Sequence, residues 1–472
     1  MQGESRICGV LLHPTSLPSG KLDADAFKWL DFMADAGLHL WQVLPLGVPQ
    51  GNLSPYQCYS AFAMNPALLG DGLCGEVTDE QRKDSRFQEW YQREHYWLDD
   101  YALFMVLKQE HSHSAWYEWP ELHKLRDTDA LEKFRQNNLG EIMAVYWQQY
   151  QLYKRWQEIR DYASERDIYL FGDMPLFVAH DSADVWANQH YFLLDAQGIP
   201  EVVAGVPPDY FSATGQRWGN PHYDWDDMQE NHFDWWLNRL KNHLQFFDLV
   251  RIDHFRGLEA VWVIDAQSET AENGVWQKVP GDHLLQCLQD EMGNVPLVAE
   301  DLGIITPEVN ALRERFHLPG MSVLQFSFDA FEDNPHKPKN IGHDRIVYTG
   351  THDNDTTHGW LQSLDDESRQ AVVQSVMETL QADEHAMTID ALQVSDTMIC
   401  DALIDMALDS QAQLAVIPMQ DFLHLGTEAR MNLPGTIDNN WQWRFEWEQI
   451  PQDLAVKTRQ RIEKAERGIA DE

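Results

Sequence analysis

Residues 248–253 read DLVRID, a short and mostly apolar run that ends in an aspartate. Near-continuous apolar runs of this kind are typical of strands that are buried on both faces of a parallel sheet. Seven similar runs are spread along the chain, at residues 7–12, 38–46, 168–178, 295–300, 321–326, 345–350 and 414–420. The sequence therefore predicts eight buried strands.

Helical patterns lie between most of these runs. Residues 25–37 place Phe27, Leu30 and Ala34 on one face. Gly37 can end that helix. The same pattern recurs at residues 281–292, 307–315 and 365–382. Eight strands that alternate with helices favour a (β/α)8 TIM barrel over an open, doubly wound α/β sheet.

We expect one barrel domain over residues 1–472, with two insertions. Residues 79–165 are rich in Gln, Glu, Trp, Tyr and Leu, and predict a helical insertion after the second strand. Residues 180–225 hold too many Gly, Pro and Asn for a helix, and predict a long structured loop after the third strand. In a barrel such segments lie at the C-terminal face, where the chemistry takes place.

The charge of the chain excludes some functions. It has 472 residues, with 35 Lys and Arg against 76 Asp and Glu, and a net charge of −41. This charge argues against binding to nucleic acid and to anionic membrane surfaces. Aromatic residues make up 11% of the chain, which suits a core and also suits the apolar faces of sugar rings.

The cysteines and the N-terminus point to a reducing compartment. The five cysteines show no CxxC spacing, so neither a disulfide framework nor a zinc site is implied. A signal peptide has a basic region followed by an apolar one, and the first residues of this sequence do not show that pattern. No apolar run reaches the roughly 18 residues that a membrane helix needs. We expect a cytoplasmic protein, and the sequence does not indicate its oligomeric state.

Three acidic residues follow predicted strands. Asp253, Glu300 and Asp353 end the runs LVRID, LVAE and YTGTHD. In a barrel, the ends of these strands meet at one rim. Like charges raise one another's pKa, so one carboxyl can stay protonated as an acid while another stays ionised.

The neighbours of these acids suggest separate roles. Arg251 lies two residues before Asp253, so both side chains face the same interior and the guanidinium favours an ionised, nucleophilic aspartate. Glu300 has no basic neighbour in sequence and is the better general acid. His254 and His352 could donate hydrogen bonds to sugar hydroxyls.

Two other interpretations of these residues remain open. An acid at a strand end is often a helix cap or part of a loop salt bridge. A metal site could use histidine and aspartate ligands, although no H-x-H or H-x-x-x-H pair supports it. The candidate ligands would be His254, Asp301, His352 and Asp353, or His180 and Asp181.

Longer motifs resemble one known family. They are HPTSLPSG (13–20), LWQVLPLG (40–47), SPYQCYSAFAMNP (54–66), GDMPLFVAHDSADVWAN (172–188), GVPPDYFSATGQRWGNPHYDW (205–225), LVRIDHFRG (249–257), VAEDLG (298–303), YTGTHDNDTTHGW (348–360) and RMNLPGT (430–436). Together they closely resemble the amylomaltases, which are the 4-α-glucanotransferases of glycoside hydrolase family 77. The resemblance runs in the same order from about residue 6 to about residue 445.

The resemblance implies a barrel of the α-amylase clan and assigns roles by position. Asp253 matches the nucleophile, Glu300 the acid/base and Asp353 the third carboxylate. Sugar contacts are matched by Ser54, Tyr56, Asp173, Arg251, His254, Asp301 and His352. Two loops that fold over the cleft are matched by Gln216, Trp218 and Asn432.

The implied activity is retaining transfer of α-1,4-glucan segments between maltooligosaccharides or longer glucans. It needs no cofactor and no metal. An α-1,4-glucan hydrolase of the same clan is the alternative, because hydrolysis uses the same three acids and differs only in the acceptor. A glucan-binding protein without activity is a further alternative, although it would be expected to lack at least one of the acids.

Overall fold

The structure, a computed structural model, describes residues 6–70, 77–208, 212–381 and 394–468. The strands within these ranges are β1 Ile7–Leu11, β2 Leu40–Gln42, β3 Tyr169–Pro175, β4 Val202–Val206, β5 Gln216–Pro221, β6 Leu249–Asp253, β7 Ala260–Asp265, β8 Gly274–Lys278, β9 Leu297–Ala299, β10 Gly320–Val323, β11 Arg345–Tyr348 and β12 Leu414–Pro418. The helices are α1 Ala24–Ala36, α2 Asp79–Arg82, α3 Ser85–Glu110, α4 Glu121–Lys124, α5 Thr128–Asn137, α6 Leu139–Ser164, α7 Ala183–Ala187, α8 Trp225–Glu230, α9 Asp234–Phe246, α10 Gly281–Met292, α11 Pro307–Arg315, α12 Thr357–Ser363, α13 Asp366–Gln381, α14 Asp396–Asp409, α15 Met419–Phe422 and α16 Leu454–Lys464.

Eight of the strands form the predicted parallel barrel. Their order is β10-β11-β12-β1-β2-β3-β6-β9. The remaining seam, between β9 and β10, is bridged where the Ala299 amide donates to the Pro319 carbonyl at 2.9 Å. The fold prediction of a (β/α)8 barrel is confirmed, and each of the eight apolar runs overlaps one barrel strand.

Alternate residues of each strand face two different cores. Leu249 packs inside the barrel with Phe171 and Val298, whereas Val250 and Ile252 pack outward against the helices. Strands buried on both faces need apolar residues at both parities, which is why the runs are nearly continuous. Arg251 and Asp253 share the parity of Leu249 and therefore belong to the interior side.

Helix α1 begins and ends at residues that its sequence indicates. Its N-cap Asp23 accepts a hydrogen bond from the Asp25 amide, and Gly37 ends it in the left-handed conformation at φ 70°. The face that packs inward is centred on Trp29, Leu30 and Met33. The predicted face is therefore only partly right, because Phe27 and Ala34 are half-buried at its borders.

The segment predicted to be a helical insertion contains α2 to α6. Its two long helices, α3 and α6, pack against each other through aromatic side chains such as Trp90 and Tyr150. Most tryptophans of the chain lie in cores of this kind, and Trp116 and Trp156 are fully buried.

A second sheet departs from the prediction of a loop over residues 180–225. That segment contains β4 and β5, which join β7 and β8 in a four-stranded antiparallel sheet of order β5-β4-β7-β8. These strands were missed because Gly205 and Gly219 interrupt them, the β4–β5 register shifts, and β8 is largely exposed. Glycine and irregular pairing both weaken the strand pattern.

Two observations concern membranes and metals. No helix in the described ranges is both long enough and apolar enough to cross a membrane. Among the same residues, no group of three or more His, Cys, Asp or Glu side chains is arranged to hold a metal ion.

Candidate active site

The three predicted acids lie at the C-terminal ends of their strands. Asp253 is the last residue of β6, Glu300 follows β9 directly, and Asp353 lies five residues beyond β11. The His254 amide donates to Glu300 Oε2 at 2.8 Å, which brings the side chain of Glu300 next to Asp253. Asp353 is close enough that its charge, like that of Glu300, raises the pKa of Asp253.

Arg251 binds the carboxylate of Asp253 from the interior of the barrel. Its Nη2 donates to Asp253 Oδ1 at 2.8 Å and its Nη1 donates to Asp173 Oδ2 at 2.6 Å. The register of β3 and β6 sets this arrangement, because Asp173 pairs directly with Arg251. Burial raises the pKa of Asp253, and Arg251 opposes this shift most strongly. The guanidinium thus favours the charged form of Asp253 and partly offsets the effect of burial.

Glu300 is held by two backbone amides. Leu302 donates to Oε1 at 2.9 Å and His254 donates to Oε2 at 2.8 Å. Burial raises the pKa of Glu300, although Arg251 and these amides oppose the shift. A direct bond to a guanidinium stabilises a carboxylate more than neutral amides do. When the two acids share one proton, this contact favours the charged form of Asp253 over that of Glu300.

Asp353 faces the opening of the site. Its side chain is 48% exposed, and Asn432 Nδ2 donates to its Oδ1 at 2.7 Å. Arg430 donates to the Asp353 carbonyl at 2.7 Å. The loop that carries Arg430 and Asn432 is thereby fixed against the third acid, with one carboxylate edge left to the cleft.

Tyr56 joins the loop after β2 to the barrel. Its hydroxyl donates to Asp173 Oδ2 at 2.7 Å and lies 2.9 Å from His352 Nε2. The Tyr56 and His352 rings are stacked, with centroids 5.3 Å apart. Burial lowers the pKa of His352, so its ring is neutral and offers a hydrogen bond without a charge.

Gln216 and Trp218 lie on β5, and Trp218 packs against His254. Trp218 Nε1 donates to Gln216 Oε1 at 3.1 Å, and the Trp218 ring meets the His254 ring edge-on with centroids 4.8 Å apart. Burial lowers the pKa of His254 to about 4. Within the described ranges, its buried Nε2 has no hydrogen-bond partner, which leaves an unsatisfied polar atom at the site.

Ser54 and Asp301 differ in their surroundings. Ser54 lies half-buried in the loop of Tyr56, where its Oγ accepts from the Tyr56 amide at 3.3 Å. Asp301 is buried away from the cleft, and its oxygens accept from the Met321 amide at 2.7 Å and from Arg345 Nη1 at 2.6 Å. We therefore replace the predicted sugar contact of Asp301 with a role in holding the β9–β10 seam. The sequence prediction was wrong because Asp301 directly follows Glu300 in the chain, while its side chain points to Met321 and Arg345 and not into the cleft.

The structure supports a direct test of that role. Asp301→Asn should lower the free energy of unfolding by about 3 kcal/mol, because it leaves Arg345 and the buried Arg313 without their shared carboxylate. Urea unfolding measures this change. Asp344→Asn is the matched control, since it removes the exposed partner of the same Arg313 and should cost less than about 1 kcal/mol. Equal losses would contradict the assignment.

The residues proposed as alternative metal ligands are not gathered into one site. His180 is stacked on Tyr117 with ring centroids 4.3 Å apart, and Asp181 is paired with Lys108 at 2.6 Å. Asp301 is occupied by its arginines. The described structure therefore offers no support for the metal interpretation.

Three residues near the acids were not predicted. Trp441 packs on Tyr56 and His352 with centroids 5.9 Å from each, Arg430 binds Asp353, and His13 lies buried beside His352. Burial lowers the pKa of His13 to about 3. The motifs HPTSLPSG and RMNLPG contain His13 and Arg430, and no motif contains Trp441, because residues so far apart in sequence come together only in the folded barrel.

Comparisons with known proteins agree with this geometry. A family model described as 4-alpha-glucanotransferase matches residues 11–71 and 73–449. The 4-alpha-glucanotransferase of Synechocystis sp. is 42% identical and covers 95% of each chain, and that of Thermus thermophilus is 41% identical and covers 98% of this chain and 99% of its own.

Among solved structures, an amylomaltase from Streptococcus agalactiae in complex with acarbose superposes with a TM-score of 0.89. It is 31% identical and covers 98% of this chain and 100% of its own. The match spans the barrel, the insertions and the loops that carry the acids. The chain therefore belongs to the 4-alpha-glucanotransferase family, glycoside hydrolase family 77.

Proposed function

We propose that this 4-alpha-glucanotransferase moves α-1,4-glucan segments between maltooligosaccharides or glucans with Asp253 as nucleophile and Glu300 as acid/base. The proposal rests on the arrangement of Asp253 and Glu300 side by side at the barrel rim. Asp253 is braced by Arg251, and Glu300 is bound to the backbone next to it. A retaining glycosidase needs two such carboxyls, roughly 5–5.5 Å apart.

The first step cleaves the donor. Asp253 attacks the anomeric carbon while protonated Glu300 gives its proton to the glycosidic oxygen, so that the shortened glucan leaves with a new hydroxyl. The product is a glycosyl ester on Asp253. Asp353 and the neutral His352 hold the hydroxyls of the distorted sugar, and the negative charge of Asp353 stabilises the cationic transition state.

The second step reverses the first with a new partner. Glu300, now ionised, takes a proton from the 4-hydroxyl of an acceptor glucan, and that oxygen displaces Asp253. Water would give hydrolysis in place of transfer. Transfer prevails when the site excludes water and holds the acceptor in position. In this proposal, Trp218 and the loop of Asn432 do both.

The role of Trp218 gives a prediction. Trp218→Ala should lower the ratio of transfer to hydrolysis by about tenfold, because it opens β5 to water and removes an apolar sugar platform. The measurement, with maltotriose as substrate, compares the amount of oligosaccharides longer than maltotriose with the net gain in reducing ends. The first reports transfer and the second reports hydrolysis. Trp276→Ala, at the opposite edge of the same sheet, should leave the ratio unchanged within about twofold. A fall in both variants would argue against a specific role.

The reaction itself is tested with maltotriose alone. We expect glucose and a ladder of longer oligomers. Glucose and maltose without extension would support the hydrolase alternative, and binding without turnover would support a glucan-binding protein. The retention of all three acids, with Asp253 braced and Glu300 beside it, supports catalysis over binding alone.

For the location of the protein, we propose the cytoplasm. The proposal is supported by the four cysteines of the described ranges, Cys8, Cys58, Cys287 and Cys400, which form no disulfide there. Free thiols are the usual state in a reducing compartment.

A further inference from the structure

Lys108 is a buried charge that the reaction scheme does not use. It lies in the last turn of α3, and its side chain is 2% exposed. Its Nζ donates to Asp181 Oδ2 at 2.6 Å and to the Ser114 carbonyl at 3.0 Å, and lies 4.9 Å from the centroid of the Tyr59 ring. Taking an ammonium out of water is costly unless a partner is fixed in place. The pair therefore ties the helical insertion firmly to the loop after β3.

Asp181 extends this connection towards the cleft. Its Oδ1 accepts from the Trp116 amide at 3.1 Å, so both carboxylate oxygens bind the insertion. Its main-chain carbonyl accepts from Gln50 Nε2 at 2.8 Å. One residue thus links α3 with the segment that follows β2.

That segment is a hairpin-like turn, residues 48–59, which we call the Tyr56 hairpin. The Tyr59 amide donates to the Val48 carbonyl at 3.0 Å, and the Gln50 amide donates to the Gln57 carbonyl at 2.9 Å. Tyr56 projects from it to Asp173 and His352. The position of the Tyr56 hydroxyl therefore depends on where this hairpin is anchored.

We propose that Lys108 and Asp181 are positioning residues for glucan transfer, acting through Gln50 on the Tyr56 hairpin. The helical insertion then acts as a rigid support for the donor side of the active site, although Asp253, Glu300 and Asp353 all lie outside it. The inference rests on the proposed function. Because Tyr56 supports Asp173 and thereby Arg251, a displaced hairpin disturbs the site of the donor sugar. The acceptor approaches beside Glu300, whose hydrogen bonds come from the His254 and Leu302 amides and not from the hairpin.

The test compares Lys108→Met with Gln50→Ala in the maltotriose reaction. Lys108→Met removes the charge but keeps a long apolar side chain, and should lower kcat by about tenfold or more. Gln50→Ala leaves the buried pair intact and should lower kcat by about threefold to tenfold with an unchanged melting temperature. The KM for glucose as acceptor should stay within about twofold in both variants.

A control separates positioning from general destabilisation. Tyr146→Phe removes a part-buried hydrogen bond to Asp99 within the same insertion and does not touch the hairpin. It should lower the melting temperature and leave kcat unchanged. A loss of kcat in Tyr146→Phe as large as in Lys108→Met would overturn the proposal.

The decisive readout is a double-mutant cycle with Tyr56→Phe. If Lys108 acts through the Tyr56 hydroxyl, adding Lys108→Met or Gln50→Ala to Tyr56→Phe should lower kcat by no more than about twofold further. Fully additive losses would contradict the proposal, as would wild-type kcat in Gln50→Ala. If the wild-type chain itself failed to extend maltotriose, the proposed function would fail, and this result is separate from any outcome of the cycle.

Discussion

Asp253→Asn should lower the rate of transfer by about 10⁴-fold or more, with glucan binding largely retained. The substitution removes the nucleophile but keeps the shape of the side chain, and an amide oxygen can still accept from Arg251 Nη2. The measurements are kcat for maltotriose disproportionation and the affinity for a maltooligosaccharide by calorimetry. Because Arg251 keeps Asp173 as a partner, we expect the variant to fold.

The matched control is Asp265→Asn. Asp265 also ends a strand, β7, but is exposed on the antiparallel sheet, where its carboxylate accepts a local bond from the Gln267 amide. Its activity should stay within about twofold of wild type. If Asp253→Asn kept activity within about tenfold of wild type, another residue would have to be the nucleophile.

Glu300→Gln should lower transfer from ordinary glucans by about 10²–10⁴-fold, because the leaving sugar oxygen then departs without a proton. A donor such as an α-glycosyl fluoride needs no proton on its leaving group, so its first step should be largely rescued. The measurement is the release of fluoride compared with the release of glucose from maltotriose. Glu308→Gln, exposed at the start of α11 after the same loop, is the control.

The pH profile carries the same information. A general acid must be protonated, so the rate is present below its pKa and is lost as the pH rises through it. Burial raises the pKa of Glu300, which moves this loss to higher pH than for an ordinary glutamate. In Glu300→Gln the fluoride donor should show no such alkaline loss in the first step. Equal losses with both donors, and an unchanged alkaline limb, would mean that Glu300 is not the acid.

The barrel could be predicted because its strands are buried on both faces. Leu249, Val250 and Ile252 serve two cores at once, which forces an apolar run that is visible without any structure. The antiparallel sheet has no such requirement. On β8, Val275 is exposed and Trp276 is partly exposed, and Gly205 on β4 meets the backbone of β5, so neither strand needs the usual pattern.

The acids could be predicted for a similar reason, since the end of a barrel strand fixes where a side chain lies. Arg251 was placed correctly beside Asp253 from strand alternation alone. Asp301 could not be placed, because it lies outside β9 and the turn there decides its direction. Trp441 and Lys108 could not be found either, because their partners are hundreds or tens of residues away in sequence and are brought near only by folding.

The central claim is that Asp253 carries the glycosyl group during transfer, and trapping that group tests it most directly. Glu300→Gln with an α-maltosyl fluoride donor should form the ester and, without a base, resolve it slowly. Acid quenching, digestion and mass spectrometry should then find one glycosylated peptide, with the label on Asp253. A label on another carboxylate, or turnover of the fluoride with inversion and no label, would contradict the account.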